Sequence, residues 1–361
     1  MTAAIDTPLT RMLGCRAPII QTAMGWVATP PLVIASSNAG AFGFLAAAVM
    51  TPDEVRKAIA AVKAGTERQF GVNFHMFQPG AKEIVDIIIA ERAAVRAVSF
   101  GRGPDAKMIG RFRDAGILCV PTVGAVKHAR KMVELGVDMV TVQGGEGGGH
   151  TGSVPTTILL PQVLDAVQVP VVAAGGFADG RGLAAALAFG AAGIAMGSRF
   201  LMTRESPVPD AVKQRYVKAG TDDIIVSTRV DGIPQRMIRN RALDRIEKAA
   251  TPVAAWKRAV LSGLAMKKRT GASFAEMLRA ADNMRSHGGL DFRQAMMAAA
   301  APTLIQKAVV EGDADEGLMA TGVVSGRLSD LPTCDALVSE IIAGAGARLH
   351  ALAALADRET A

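Results

Sequence analysis

The chain predicts a TIM (β/α)8 barrel, an α/β fold, carrying a mostly helical cap domain after its eighth strand. Three observations lead there. Between residues 18 and 199, short apolar runs alternate with amphipathic stretches eight times. Glycine-rich turns follow the last two of those runs. Beyond residue 199 the rhythm changes, and 207–320 is rich in Ala, Met and Arg with few strand signals.

Residues 18–24 (PIIQTAM) read as a buried first strand. A helix over 31–40 ends at glycine, and 43–48 is a second apolar run. Thr51-Pro52-Asp53-Glu54 opens the next helix. Threonine caps it, proline fits its first turn, and Glu54 closes a capping box. Val55, Ile59 and Val62 then fall on one apolar stripe. Further strands are expected at 70–76, 95–100, 118–123, 139–143, 170–174 and 193–196. The intervening helices are expected at 82–92, 105–116, 125–136, 156–167 and 179–190. Eight units in about 180 residues favour a closed barrel over a doubly wound open sheet. No G-x-G-x-x-G follows the first strand to mark a dinucleotide fold. The domain plan is a barrel over 1–206, a cap over 207–320 and a C-terminal return over 321–361. In the return, 322–326 leads back to the barrel and 339–357 forms a final helix.

Composition narrows the function. Of 361 residues, 50% are hydrophobic and 20% charged, which excludes general disorder. Aromatics are only 4%, which argues against a stacking surface for nucleic acid. Cys15, Cys119 and Cys334 are isolated, so neither a disulfide framework nor a metal spacing is expected, and the cytoplasm is the expected location. Asp6 and Arg11 come too early for a signal peptide. The uncharged-looking stretch 182–198 is broken by glycines and reads as a buried helix then a strand, not a membrane span. The net charge of +7 is concentrated: 229–269 holds eleven Lys and Arg against three Asp and Glu. That segment reads either as a solvated helical face or as a surface for a phosphorylated small molecule.

In a (β/α)8 barrel, the active site lies in loops at the C-terminal strand ends, with phosphate after strands seven and eight. Here these loops are Ala174-Gly175-Gly176-Phe177-Ala178-Asp179 and Ala195-Met196-Gly197-Ser198-Arg199. Their glycines let a phosphate approach backbone N–H groups. The sixth strand runs into Gln143-Gly144-Gly145-Glu146-Gly147-Gly148-Gly149-His150-Thr151-Gly152. Its glycines are expected to leave room for a flat or bulky group and to deliver His150 to the mouth. A neutral histidine there can remove a proton from an activated carbon. His75, His128, His287 and His350 read as structural or solvated. No H-E-x-x-H, C-x-x-C or paired carboxylates mark a metal, and no G-x-S-x-G marks a hydrolase. The chemistry therefore falls to a bound cofactor.

Several of these motifs together resemble the nitronate monooxygenase / 2-nitropropane dioxygenase family, which includes flavin-dependent enoyl-ACP reductases. They are PIIQTAM (18–24), GVN (71–73), QGGEGGGHTG (143–152), AAGGFADGRG (173–182) and AMGSRF (195–200). The resemblance implies a TIM barrel holding FMN. It implies Ala23 and Met24 near the isoalloxazine, Asn73 and Gln143 hydrogen-bonded to it, and Gly148 along the ring. Gly175, Gly176, Ala195, Met196, Gly197 and Ser198 would surround the phosphate, and His150 would be the catalytic base. The chain departs from the family pattern at Gly147, Thr151 and Val323, where Ala, Arg and Gln are common.

A longer set of motifs resembles a narrower branch, the flavin-dependent acyl-CoA dehydrogenases of bacterial steroid C/D-ring degradation. It comprises QTAMGWVA (21–28), VQGGEGGGHTG (142–152), VPDAVKQRY (208–216), STRVDGIPQRMIR (227–239) and TGVVSGRLSDLP (321–332). This implies α,β-dehydrogenation of a hydroxylated bicyclic indanone-carboxyl-CoA, with His150 as base and flavin N5 as hydride acceptor. NAD(P) and O2 are both compatible redox partners. Arg236, Arg239, Lys267, Lys268 and Arg269 are the expected contacts to CoA phosphates. Trp26, Met24 and Phe177 are expected against fused rings. The partner is a small molecule, with neither nucleic acid nor membrane expected, and the family resemblance implies a homodimer. Nitronate oxidation and enoyl-thioester reduction are the alternative activities.

Overall fold

A computed structural model describes residues 5–76, 78–101, 105–248 and 292–356, with 292–300 as backbone only. The chain divides into two compact units. One holds Met1–Gly147, Thr151–Pro207 and Leu328–Ala361; the other holds Gly148–His150 and Val208–Arg327.

The first unit is a TIM barrel. Its strands are β1 (Ile19–Gln21), β2 (Phe42–Ala46), β3 (Phe70–Asn73), β4 (Val95–Ser99), β5 (Leu118–Cys119), β6 (Thr122–Val123) and β7 (Val140–Gln143). After β8 (Gly149–His150), which belongs to the other unit, come β9 (Val171–Ala174) and β10 (Gly193–Met196). All barrel pairings are parallel, in the order β5-β4-β3-β2-β1-β10-β9-β7-β6. β5 and β6 are two halves of the single strand expected at 118–123. Between them Val120 N–H reaches the Val98 carbonyl (2.8 Å), and Thr141 N–H reaches the Pro121 carbonyl (2.8 Å). Hydrogen bonding therefore crosses the break and closes the cylinder. Pro121 has no N–H to donate, which is why the strand is interrupted there.

The expected helices alternate with these strands as α2 (Pro30–Asn38), α3 (Pro52–Gly65), α4 (Ala81–Ala90), α5 (Ala106–Asp114), α6 (Val126–Glu134), α7 (Thr156–Leu164) and α8 (Gly180–Ala188). The capping box at Thr51 and Glu54 forms as expected. A helix the sequence reading did not single out, α1 (Pro8–Leu13), adds Leu9 and Leu13 to the cluster that holds Ile20, Phe42, Phe44, Val120 and Val172. Gly71 serves that packing, since a Cβ there would stand 2.3 Å from the Phe44 ring. A short α9 (Ser198–Leu201) follows β10. The C-terminal return is tied down by buried Arg199, which bridges Asp330 at 2.9 Å.

The described part of the second unit is mostly helical, with α10 (Asp210–Lys218), α11 (Arg241–Lys248) and α12 (Phe292–Val309), and it adds a three-stranded antiparallel sheet. β11 (Ile224–Ser227) and β12 (Gln235–Ile238) form a hairpin, and β8 pairs with the other edge of β12. Val230, Met237, Leu243, Ile246 and Leu318 form its core. The last helix of the chain, α13 (Cys334–Ala356), returns to the first unit and lies on α8. The fit is close, since a Cβ at Gly180 would stand 2.4 Å from the Ala345 nitrogen. By length and composition alone α13 could cross a bilayer, while its Leu337, Val338, Ile341 and Ala345 are buried.

Candidate active site

Parallel closure puts the C-terminal ends of all barrel strands at one rim. Ala23 and Met24 follow β1, Asn73 ends β3, and Gln143 ends β7. Gly175 and Gly176 follow β9, Ala195 and Met196 end β10, and Gly197 and Ser198 follow it. The Asn73 amide donates to the Ser99 carbonyl at 3.1 Å, which fixes its orientation. Gly175 and Gly176 take consecutive left-handed conformations, φ 95° and 85°. Among the described residues, the N–H groups of Gly176 and Gly197 have no acceptor. Two donors at neighbouring strand ends that the fold leaves unused suit a phosphate. Trp26, just beyond Met24, is the one non-glycine with positive φ among the described residues (61°).

The loop after β7 is tied to the loop after β9 through Thr156, the first residue of α7. Glu146 accepts from the Thr156 N–H (2.9 Å) and its hydroxyl (2.7 Å), so a carboxylate caps that helix. The same hydroxyl lies 3.1 Å from the Gly175 carbonyl. This changes the meaning of the glycine run. A Cβ at Gly144 would stand 2.1 Å from Thr156 Oγ1, and one at Gly147 would meet the Gln143 side chain at 2.5 Å. In the second unit, a Cβ at Gly148 would stand 2.4 Å from the Thr321 carbonyl carbon. The protein's own backbone packing requires glycine at 144 and 148, whereas at 147 the neighbour is the flexible Gln143 side chain.

His150 and Gly148 belong to the second unit. There His150 pairs across the sheet with Gln235. His150 Nε2 lies 2.6 Å from Asp231 Oδ2, and the Gln235 amide donates to the same oxygen. The other Asp231 oxygen accepts the Ile233 N–H at 3.1 Å, an Asx-turn that fixes the carboxylate within its own loop. Asp231 is 4% exposed, whereas the His150 side chain is 47% exposed. Burial works against the charge on Asp231, but hydrogen bonds and the charge of His150, the Ile233 N–H and Gln235 outweigh it. They hold the carboxyl below the usual range. A half-exposed imidazole backed by a buried carboxylate can accept and release protons. Asp231 and Gln235 escaped the sequence reading. The one local signal was Asp231-Gly232 before Pro234, a turn signature that says nothing about a histidine 81 positions away.

The described part of the basic segment is largely paired. Arg239 binds Asp244 at 2.7 Å, Arg229 lies 3.5 Å from Glu247, and Arg241 and Arg245 both meet Glu316. Arg236 sits on β12 opposite Gly149. Lys267, Lys268, Arg269 and His287 lie outside the described residues. His128 and His350 are exposed, and the His75 N–H donates to Gln78 at 2.8 Å.

A family model described as nitronate monooxygenase matches residues 6–344. A Mycobacterium tuberculosis protein is 46% identical over 98% of this chain and 99% of its own length. It is named (3aS,4S,5R,7aS)-5-hydroxy-7a-methyl-1-oxo-octahydro-1H-indene-4-carboxyl-CoA dehydrogenase. A probable nitronate monooxygenase of Staphylococcus aureus is 30% identical over 66% of this chain and 80% of its own. Among solved structures, FabK from Thermotoga maritima superposes with a TM-score of 0.78 at 30% identity, covering 97% of this chain and 99% of its own.

Proposed function

Because the chain belongs to the nitronate monooxygenase family, we propose that it is an FMN-dependent oxidoreductase acting on a bicyclic hydroxyacyl-CoA related to steroid rings C and D. The observation that carries the substrate class is the extent of likeness. The acyl-CoA dehydrogenase matches 98% of the chain, whereas the nitronate monooxygenase of Staphylococcus aureus matches 66%. The barrel rim supports the cofactor. The unused N–H groups of Gly176 and Gly197, with Gly175, Ser198 and the ends of β10 at Ala195 and Met196, would hold the FMN phosphate. Ala23, Met24, Asn73, Gln143 and Gly148 would border the ring. Bound FMN would supply a hydride acceptor, its N5.

His150 removes the α-proton of the thioester. The thioester makes that proton acidic enough for an imidazole only if the enolate oxygen is stabilised. The N–H groups of Gly144, Gly145 and Gly147 are already bonded to the Ala174, Val154 and Gly144 carbonyls, so a ribityl hydroxyl of bound FMN would be the donor. Loss of the β-hydride then gives the α,β-unsaturated thioester. Arg236 and Arg239, with Lys267, Lys268 and Arg269, are the proposed contacts for CoA phosphates. Bound FMN would need an external two-electron acceptor, such as NAD(P)+, to complete the cycle.

The test is anaerobic mixing of the FMN-loaded protein with the 5-hydroxy-7a-methyl-1-oxo-octahydroindene-4-carboxyl thioester of CoA. The visible flavin band should bleach. His150→Ala should keep the flavin and bleach about 10²–10⁴-fold more slowly. Oxygen uptake with alkyl nitronates and no bleaching by the thioester would select nitronate oxidation instead. NAD(P)H consumption with an unsaturated acyl thioester would select reduction.

A further inference from the structure

A buried carboxylate with no Lys or Arg beside it needs another source of compensation. Among the described residues, Asp231 has the Ile233 N–H, the Gln235 amide and the imidazole of His150, and no ion pair other than with His150. All three partners are set by local structure. Gly232 takes the left-handed turn position (φ 83°), its N–H closes the loop onto the Thr228 carbonyl (3.0 Å), and β8–β12 pairing puts His150 opposite Gln235. The carboxylate therefore does not follow the ring; the ring is held to the carboxylate.

We propose that Asp231 is a positioning residue that holds His150 in its Nε2–H tautomer, makes Nδ1 the basic nitrogen, and stabilises the imidazolium formed when the ring takes a proton. The proposal rests on the reading of His150 as the base. An ionised carboxylate 2.6 Å from Nε2 accepts a hydrogen bond, so Nε2 carries the hydrogen and Nδ1 carries the lone pair. Gln235 is 3.1 Å from the same ring nitrogen. With Nε2 already a donor, one N–H of the Gln235 amide goes to Asp231 and supports the carboxylate rather than the ring. In the transfer, the substrate C–H bond breaks and its proton goes to Nδ1. Asp231 takes no proton; its charge balances the new positive ring at short range, as the carboxylate of a serine-protease triad does.

The experiment compares holoenzymes of the wild type, Asp231→Asn, Asp231→Glu, His150→Ala and the Asp231→Asn/His150→Ala double variant. Flavin bleaching by the bicyclic hydroxyacyl-CoA is followed at several substrate concentrations. ¹⁵N NMR of histidine-labelled protein reads the tautomer. Asp231→Asn should slow the limiting rate about 10²–10⁴-fold with little change in the half-saturating concentration. Asp231→Glu should recover part of the rate. The double variant should be no slower than His150→Ala, because two parts of one device are not additive. The wild-type ring should show Nε2–H alone, and the Asn variant a mixture. If Asp231→Asn yields no folded holoenzyme, Asp231→Glu carries the test, with a slowed limiting rate at unchanged half-saturation.

If His150→Ala is slow and Asp231→Asn is as fast as wild type, the base stands and the role of Asp231 falls. If His150→Ala is as fast as wild type, the base assignment falls and takes the proposal with it. If the thioester does not bleach even the wild type, the substrate reading fails and the tautomer decides for Asp231. Nδ1–H in the wild type, or Nε2–H unchanged in the Asn variant, overturns the proposal.

Discussion

Gly144 and Gly148, in the run after β7, and Gly176, in the turn after β9, use glycine for opposite reasons. At the first two, glycine is demanded from outside: Thr156 crowds Gly144, and the Thr321 backbone crowds Gly148. Gly176 has no heavy atom closer than 3.5 Å to where a Cβ would be, and it is the backbone that demands glycine, at φ 85°. Its N–H is also unused by the fold. Glycine count alone is a poor guide to a ligand. What separates the cases is whether the space and the polar groups at a glycine are already taken by the protein.

The largest effect should come from testing the crowded stretch. In Gly144→Ala the new Cβ would lie 2.1 Å from Thr156 Oγ1 and 2.6 Å from the Thr156 backbone, which is the N-terminus of α7. Neither can yield without breaking the Glu146 cap. A cost of about 3 kcal/mol or more is expected, a large share of ordinary domain stability. Thermal denaturation and soluble yield measure it. A variant as stable as wild type would mean that the glycines of this loop are not there for packing.

The uncrowded turn should behave differently. Gly176→Ala forces an L-residue into a left-handed conformation at a cost of about 1–2 kcal/mol, with no clash. The barrel should fold, while FMN affinity falls about tenfold if the added strain is felt by the bound turn. Equilibrium dialysis against FMN, with circular dichroism as control, separates the two effects. Unchanged affinity in a folded variant would remove Gly176 from the phosphate site.

The same distinction explains what could be read from sequence. Barrel strands announce themselves because each is a short apolar run with a turn at either end, buried whatever its neighbours. That logic held even for 118–123, although Pro121 divides it. β12 does not announce itself, because two of its four residues, Gln235 and Arg236, are polar, and the apolar start of β11 at 224–226 lies in a stretch whose composition reads as helical. β8 is two residues, Gly149 and His150, and is a strand only because β12 pairs with it. The rim turns were legible from local chemistry. The Asp231–His150 pair was not, since it depends on the register of a sheet built from segments about eighty residues apart.

The smallest expected effect sharpens the contrast between the two units through pH. Three second-unit carboxylates sit below their ordinary range. Asp231 does so despite burial, through His150. Asp313 does so chiefly through the Glu316 N–H, and Glu316 chiefly through Arg245. A group whose folded pKa is depressed stabilises the fold above its unfolded pKa. That contribution is lost as pH falls through the folded value. The loss should begin near pH ~4, the ordinary carboxylate range, and be complete below the depressed values. Asp313 and Glu316 are part-exposed, so solvent screens their share to a modest one. Hydrogen exchange followed by mass spectrometry should find α11 and β12 losing protection on acidification before the barrel strands do. Asp231→Asn should narrow the gap, because an amide cannot titrate. If the barrel strands open first, these carboxylates are not what holds the second unit together at neutral pH.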